Sequence, residues 1–341
     1  MRNLRFAIFG TGFWSQFQLA AWQELEGVEC VALYNRTRTR AEALAERFGI
    51  PAVYGDPEAL LDQEQVDFID VITAVETHRR FVHLAAEREV AVVCQKPMGG
   101  TLEQAEEMVA VCREGGVPFF VHENFRWQRP FREVKRVLDT GVIGKPFRGR
   151  IHFCSSFPVF DNQPFLKDLE QFMLTDVGSH TLDVVRFLFG EAHSLYCQTQ
   201  QIHPDIKGED VATVMMQMGE GITVTVEMSY ASRTSFERFP ETFLLIEGDK
   251  GSLELDREYV VRVTTEDGTH SRQYPPPRYA WADPAYDIVH ASIVPCNANL
   301  LQALQGKGEA ETTGADNLKT VHLVFASYES AASDKVIHLP V

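Results

Sequence analysis

Gln95-Lys96-Pro97 sets a cation at the end of a short apolar run, Ala91-Val92-Val93-Cys94. A lysine at the mouth of a buried strand is costly unless something uses its charge. The proline after it stops ladder pairing and forces a turn. Parallel strands present their carboxyl ends to a ligand crevice, so Lys96 reads as a cation aimed into a site. A second group stands far along the chain. Asp176, His180 and Asp183 recur at i, i+4 and i+7 and so share one helix face. The rest of that stretch is apolar: Val177, Leu182, Val184, Val185, Phe187 and Leu188. Polar side chains on one stripe of such a helix need partners or a cavity. A carboxylate beside an imidazole raises its basicity and orients it, which suits general acid–base work. Taken singly, Asp176 fits an N-cap carboxylate equally well, and His180 a hydrogen-bonded core histidine. Lys96, Asp176 and His180 together form the candidate catalytic group.

Gly10-Thr11-Gly12-Phe13-Trp14-Ser15 follows a first apolar strand and opens a helix. Two glycines permit a tight turn and close approach of backbone to a pyrophosphate, and the helix N-terminus supplies N–H donors. Ser15 replaces the third glycine of a dinucleotide fingerprint, where only helix–strand packing is at stake. Gly10, Gly12, Phe13 and Trp14 are therefore candidate cofactor contacts; the alternative is a tight turn without ligand. Strand two ends at Tyr34-Asn35-Arg36-Thr37-Arg38-Thr39-Arg40, without the acid that NAD-preferring sites place on the ribose 2′-hydroxyl. Guanidinium groups suit phosphate, so Asn35, Arg36 and Arg40 lean the expectation for an NAD(P) cofactor toward NADP. Arginines that merely cap the next helix in solvent are the alternative.

Thr73 and Ala74, small residues after strand four, would let backbone meet the nicotinamide-side ribose, and Gln95 and Lys96 complete the cofactor set. His78 opens the next helix as either a cofactor contact or a structural histidine. His122-Glu123-Asn124-Phe125-Arg126-Trp127 offers Asn124 and Arg126 as substrate contacts beside Lys96, Asp176 and His180. The loop over 157–165, with Asp161, Asn162 and Gln163, has aromatic and amide groups that suit a polyol or an ordinary loop. No His-x-x-x-His or His-Glu-x-x-His spacing occurs, so no bound metal is expected.

Positioning these residues requires a frame. Strand patterns over 6–9, 28–34, 52–54, 66–73, 91–95 and 119–121 alternate with helical ones over 14–26, 39–48 and 102–114. That rhythm predicts a parallel sheet with crossover helices. Gly49 suits a helix C-cap, and Thr101-Leu102-Glu103-Gln104 a capping box. Past residue 123 the rhythm becomes a helix over 130–139, a strand over 148–154, a helix over 176–189 and mostly strands from 194 to 265. Gly219-Glu220-Gly221 and Gly248-Asp249-Lys250-Gly251 are hairpin signals. Helices over 298–304 and 315–332 close the chain. The expected fold is an α/β dinucleotide-binding domain at 1–123 and an α+β domain at 124–341 with a large, mainly antiparallel sheet.

The 341 residues are 45% hydrophobic and 23% charged, ordinary for a soluble globular protein. A net charge of −16 without a basic run argues against a nucleic-acid partner. Six cysteines without C-x-x-C spacing read as reduced, buried hydrophobes. No signal-peptide pattern and no bilayer-length apolar stretch occur, so no membrane partner and a cytoplasmic location are expected.

Together these motifs resemble the Gfo/Idh/MocA oxidoreductase family over nearly the whole chain. The matching segments are Gly10-Thr11-Gly12, Gln95-Lys96-Pro97 against the family's Glu-Lys-Pro, Asn124-Phe125-Arg126, Asp176-x-x-x-His180 and the sheet turn Glu247-Gly248-Asp249-Lys250-Gly251-Ser252. The resemblance implies a Rossmann domain, a C-terminal sheet used for homodimer or homotetramer contacts, and a cleft between the domains. It implies oxidation of a sugar or polyol carbinol, with Lys96, Asp176 and His180 catalytic. Gln95 departs from the family's glutamate and implies altered cofactor preference. The Asn35-Arg36-Thr37-x-x-Arg40 stretch resembles the pattern shikimate dehydrogenases use on the NADP 2′-phosphate. The segments 33–37, 94–98 and 207–211 resemble family members that oxidise D-apiose, a branched pentose, at its anomeric carbon. Those are regarded as NAD-using, against the arginine argument. A glycoside hydrolase that recycles its NAD, or a non-catalytic sensor, are the alternatives on the same fold.

Overall fold

Consecutive residues of a strand point to opposite faces, so a strand buried at every position must be covered on both. Phe6, Ala7, Ile8 and Phe9 are all buried, as are Phe68 to Val71 and Val92 to Cys94. The computed structural model, which describes residues 2–235 and 239–339, shows these runs in one parallel sheet. Its strands are β1 (Leu4–Phe9), β2 (Val28–Tyr34), β3 (Ala52–Tyr54), β4 (Phe68–Val71), β5 (Ala91–Gln95) and β6 (Phe119–His122). They run in the order β3-β2-β1-β4-β5-β6, and every neighbouring pair is parallel. The strand order reverses between β1 and β4, so the loops after those two strands flank the switch point where such sheets hold ligands.

The helices of this unit are α1 (Ser15–Gln23), α2 (Arg38–Phe48), α3 (Pro57–Gln63), α4 (His78–Glu87) and α5 (Leu102–Glu114). Gly49 caps α2 in the left-handed conformation, as expected. Thr101 Oγ1 accepts from Gln104 N at 3.2 Å, but Gln104 reaches back to Gly100 N rather than to Thr101. Helix α3 is absent from the expected elements, although Asp56-Pro57 is a start signal: Asp56 Oδ1 accepts from Glu58 N at 3.1 Å.

Chain contacts divide the molecule into two units. The first joins the residues up to Asn124 with Tyr279–Ala282 and Ile293–Val321; the second holds Phe125–Arg278, Asp283–Ser292 and the chain from His322. A single cut at residue 123 misses this return. Helical periodicity shows that a helix has an apolar face, not which sheet it covers. Ile293 packs with Phe17 and Ala21, beside Trp14, Trp281 and Val294. Phe120 forms a bridge with Thr313.

The second unit carries α6 (Arg129–Leu138), α7 (Val159–Asn162), α8 (Ser179–Phe189) and a nine-stranded sheet. Its strands are β7 (Pro146–Cys154), β8 (Ala192–Gln200), β9 (Val211–Met218), β10 (Thr223–Ser229), β11 (Phe243–Gly248), β12 (Gly251–Asp256), β13 (Val260–Thr265), β14 (Gly268–Gln273) and β15 (Ile337–His338). All pairs are antiparallel except β7 with β10. On β9 every second residue is buried, while Met215 on the other face is half exposed, the alternation of a one-sided sheet. Gly149 of β7 makes room for α8: a Cβ there would lie 2.7 Å from the Phe189 ring. The protein therefore has an α/β Rossmann domain plus an α+β domain with a mainly antiparallel sheet. Two long helices, α9 (Asp287–Leu304) and α10 (Gly314–Ser333), close the chain. No helix among the described residues is long and apolar enough to cross a membrane.

Candidate functional site

The turn after β1 needs glycine for two reasons. Gly10 has φ +103°, and a Cβ on it would lie 2.5 Å from Ile72 O at the end of β4. Gly12 faces open space, with nothing within 4 Å of where its Cβ would stand. The loop thus leaves an uncovered backbone cradle ahead of α1, which fits close approach by a pyrophosphate. Ser15 is fully buried and donates its hydroxyl to Gly12 O at 2.7 Å, so the third fingerprint position does serve packing. Asn35 accepts from Thr11 N at 3.4 Å and donates to Thr37 O at 2.9 Å, tying the end of β2 to the glycine turn. Phe13 is exposed; Trp14 donates to Gln18 Oε1 at 3.1 Å. Arg36 and Arg40 are exposed, and between them Arg38 pairs with Glu42 at 2.9 Å.

Thr73 and Ala74 lie beyond β4, where Thr77 Oγ1 donates to Ala74 O at 2.8 Å and accepts from Thr73 Oγ1 at 2.7 Å. His78 is buried rather than presented to a ligand. Its Nε2 lies 3.1 Å from Thr73 O, and its Nδ1 3.1 Å from Pro97 O and 3.3 Å from Met98 O. Burial lowers its pKa, and the carbonyls of Thr73, Met98 and Pro97 work against that shift. His78 therefore staples the loop after β4 to the loop that carries Lys96.

Lys96 is half-buried at the end of β5. Its backbone N–H donates to Gln95 Oε1 at 3.2 Å, and Gln95 Nε2 donates to Gln18 Oε1 at 2.5 Å. Gln18 Nε2 lies 2.8 Å from both carboxylate oxygens of Asp70, which is wholly buried in β4. Gln18 and Asp70 are not among the residues that the motifs single out. The signal was present: Phe68-Ile69-Asp70-Val71 sets one acid inside an apolar strand.

In the second unit Asp176 lies inside a π-helical turn, Leu174–Gly178, which runs directly into α8. Met173 holds the N-cap position, so Asp176 is not the cap carboxylate. Such turns recur at functional sites because they re-aim a side chain within a helix. Tyr230 OH lies 3.4 Å from Asp176 Oδ2. Burial, then the charge of Asp176, pushes the Tyr230 phenol well up, so it stays a donor. His180 is half-buried and stacks on Phe125, centroids 4.2 Å apart and planes 11° apart. Asp183, third of the polar stripe, turns to Arg126 instead. Arg126 Nε and Nη2 donate to its two oxygens at 2.8 and 2.6 Å, with both residues buried. The expected substrate contact Arg126 is thus held in a buried ion pair that fixes α8 to the Phe125–Trp127 turn. Asn124 is buried at the last position of the first unit. In the loop over 157–165, Phe157 stacks on Phe239 with centroids 4.0 Å apart, and the Asn162 side chain lies outside the described residues.

With this geometry established, comparison with known proteins gives the class. Residues 4–123 match a model described as an oxidoreductase family with an NAD-binding Rossmann fold, and residues 131–254 match the GFO/IDH/MocA C-terminal domain. The chain belongs to the Gfo/Idh/MocA family of NAD-binding oxidoreductases. It is 42% identical over 339 residues to a D-apiose dehydrogenase of Paraburkholderia graminis, covering 99% of this chain and 90% of that one. It is 40% identical to a D-apiose dehydrogenase of Rhizobium rhizogenes, covering 99% and 98%. A crystal structure of an Agrobacterium radiobacter oxidoreductase, in complex with NAD+, L-tartaric acid and magnesium, superposes with a TM-score of 0.96 at 40% identity over 98% of each chain.

Proposed function

We propose that the protein is an NAD(P)-dependent dehydrogenase that oxidises the anomeric carbinol of an aldose, with the branched pentose D-apiose as the first substrate to test. The observation that carries this is the full-length likeness, at 42% and 40% identity, to two D-apiose dehydrogenases.

Oxidising a carbinol needs a base for the hydroxyl proton and a place for the hydride. The nicotinamide, when bound, is the hydride acceptor. His180 takes the hydroxyl proton on an imidazole nitrogen, and the Asp176 carboxylate stabilises the imidazolium that results. Lys96 donates from its ammonium to the substrate oxygen and stabilises the negative charge that develops there. Gly10 and Gly12 admit the pyrophosphate, with Phe13 and Trp14 opening the helix beside it. Asn35 serves the adenosine ribose; Thr73, Ala74 and Gln95 serve the nicotinamide side. Arg36 and Arg40 give a 2′-phosphate two guanidinium partners, so we infer that NADP is accepted and preferred. Asn124 contacts substrate, Arg126 acts by holding α8 through Asp183, and His78 acts by holding the Lys96 loop. Copies of the chain associate through the exposed face of the nine-stranded sheet, which light scattering would read as a dimer or tetramer.

The test is a panel of pentoses, hexoses and inositols assayed at the reduced-nicotinamide absorbance band with NAD and NADP in parallel. D-apiose is expected to give the fastest turnover. Absence of turnover with every sugar and both cofactors, or unchanged turnover in Lys96→Ala, would sink the assignment.

A further inference from the structure

A hydrogen-bonded path runs through the first unit and ends beside Lys96. Asp70 is its inner end. Both its oxygens accept from Gln18 Nε2 at 2.8 Å, and Oδ2 also accepts from Trp22 Nε1 at 2.7 Å. Gln18 Oε1 then accepts from Gln95 Nε2 at 2.5 Å and from Trp14 Nε1 at 3.1 Å. Gln95 Nε2 also lies 3.1 Å from His122 Nδ1, and His122 Nε2 lies 3.0 Å from Asn297 Oδ1. Asp70, Gln18, His122 and Asn297 are fully buried.

The sense of donation along such a path is fixed by whichever member cannot reverse. An amide can present either end, and a neutral imidazole can exchange tautomers. An ionised carboxylate can only accept, and the indole N–H groups of Trp14 and Trp22 can only donate. Gln18 must therefore turn its NH2 toward Asp70, which leaves its carbonyl oxygen facing Gln95. Gln95 must turn its NH2 inward, which leaves its own carbonyl oxygen for the Lys96 amide. His122 Nδ1 then accepts, and Nε2–H donates to Asn297.

We infer that Asp70 is a positioning residue for the dehydrogenase reaction: through Gln18 it locks Gln95 with its carbonyl oxygen on the Lys96 backbone. The same sense explains why residue 95 is a glutamine. A glutamate there would set a carboxylate oxygen against Gln18 Oε1, acceptor facing acceptor. Burial pushes the Asp70 carboxyl up to about 7, so the acid is kept at a cost to its own solvation, and the acceptor-only form is the one present at pH 8, where the path is to be assayed. This inference rests on the role proposed above for Lys96.

The experiment is a double-mutant cycle of Asp70→Asn and Gln95→Glu, read by urea unfolding of the protein alone, by NADH fluorescence titration and by kcat. The double variant reverses every member of the path except Trp14, whose half-buried indole N–H cannot reverse and must turn away from the Gln18 NH2. The amide introduced in β4 donates to Gln18 Oε1, and Gln18 Nε2 and His122 Nδ1–H donate to the carboxylate introduced at the end of β5. Each single variant is expected to weaken NADH binding and lower kcat by about tenfold, and the double variant to return within about threefold of wild type. Losses that multiply in the double variant, or an unchanged Gln95→Glu enzyme, overturn the inference. Coupling in urea with a flat kinetic cycle overturns the positioning role and leaves a structural network only. A wild-type protein that neither binds NADH nor turns over any sugar is instead the failure of the dehydrogenase reading, and the urea cycle still decides the sense of the path. Gln95 sits at the half-buried end of its strand, so if Asp70→Asn does not fold, Gln95→Glu alone still decides: NADH binding and kcat that stay at the wild-type level overturn the inference.

Discussion

Asp70→Asn should flatten the pH dependence of stability by an amount set by burial. In the fold the carboxyl is raised from 3.8 to about 7, with burial the largest cause and the N–H donors of Trp22 and Gln18 opposing it. A carboxyl whose folded pKa is raised contributes its full stability below its unfolded value and loses it as pH climbs through the folded value. The gap is about three units at ~1.4 kcal/mol each, or about 4 kcal/mol lost between pH 4 and pH 8. The titratable neighbours are Cys30 and Cys94, whose thiols are pushed up by burial and by the Asp70 charge and so stay neutral over that range. His122 touches Gln95 rather than Asp70 and is the same in both proteins. Urea unfolding of wild type and Asp70→Asn at several pH values from 4 to 8 measures the difference, in which other groups cancel. The stability of wild type relative to the variant should fall by about 4 kcal/mol as pH rises. A difference that is flat within about 1 kcal/mol, or that grows with pH, refutes the assignment of a raised carboxyl.

Gly10→Ala forces a side chain at φ +103° into Ile72 O, and should cost on the order of 1–3 kcal/mol in thermal unfolding and weaken NADH binding. Asp183→Ala leaves Arg126 buried without its carboxylate and should cost about 3–5 kcal/mol in urea. Arg126→Met with Asp183→Leu, which removes both charges, should recover most of that loss. Lys96→Met should weaken NADH binding, read by fluorescence, by no more than about threefold, while kcat falls about 10²–10³-fold. Arg36→Ala with Arg40→Ala should raise KM for NADP about tenfold and leave KM for NAD within about twofold; equal changes for both cofactors would remove the 2′-phosphate role.

The frame of the first unit was legible because its strands are apolar at every position and its loops carry glycine and capping residues whose roles are local. β2, β3 and β5 fall where the apolar runs predict them. The second sheet was legible from two-residue alternation and hairpin glycines. Less legible were features that depend on which distant segment arrives. The return of Ile293–Val321 to the first unit is one. The withdrawal of Arg126 into an ion pair with Asp183 is another. Periodicity placed Asp176 and His180 on one face, yet it could not show that a π-turn replaces the expected helix start.

The sequence by itself determined the chemistry on offer: a glycine turn ahead of a helix, a lysine held at a strand end by a proline, and a carboxylate one turn before an imidazole. These are properties of neighbours along the chain, where spacing alone decides geometry. Tertiary structure decided the sense of the polar path behind Lys96. That path joins residues 18, 70, 95, 122 and 297, which no local rule connects. Its direction comes from a buried carboxylate that, while ionised, can only accept hydrogen bonds, and from the indole N–H groups of Trp14 and Trp22, which can only donate them.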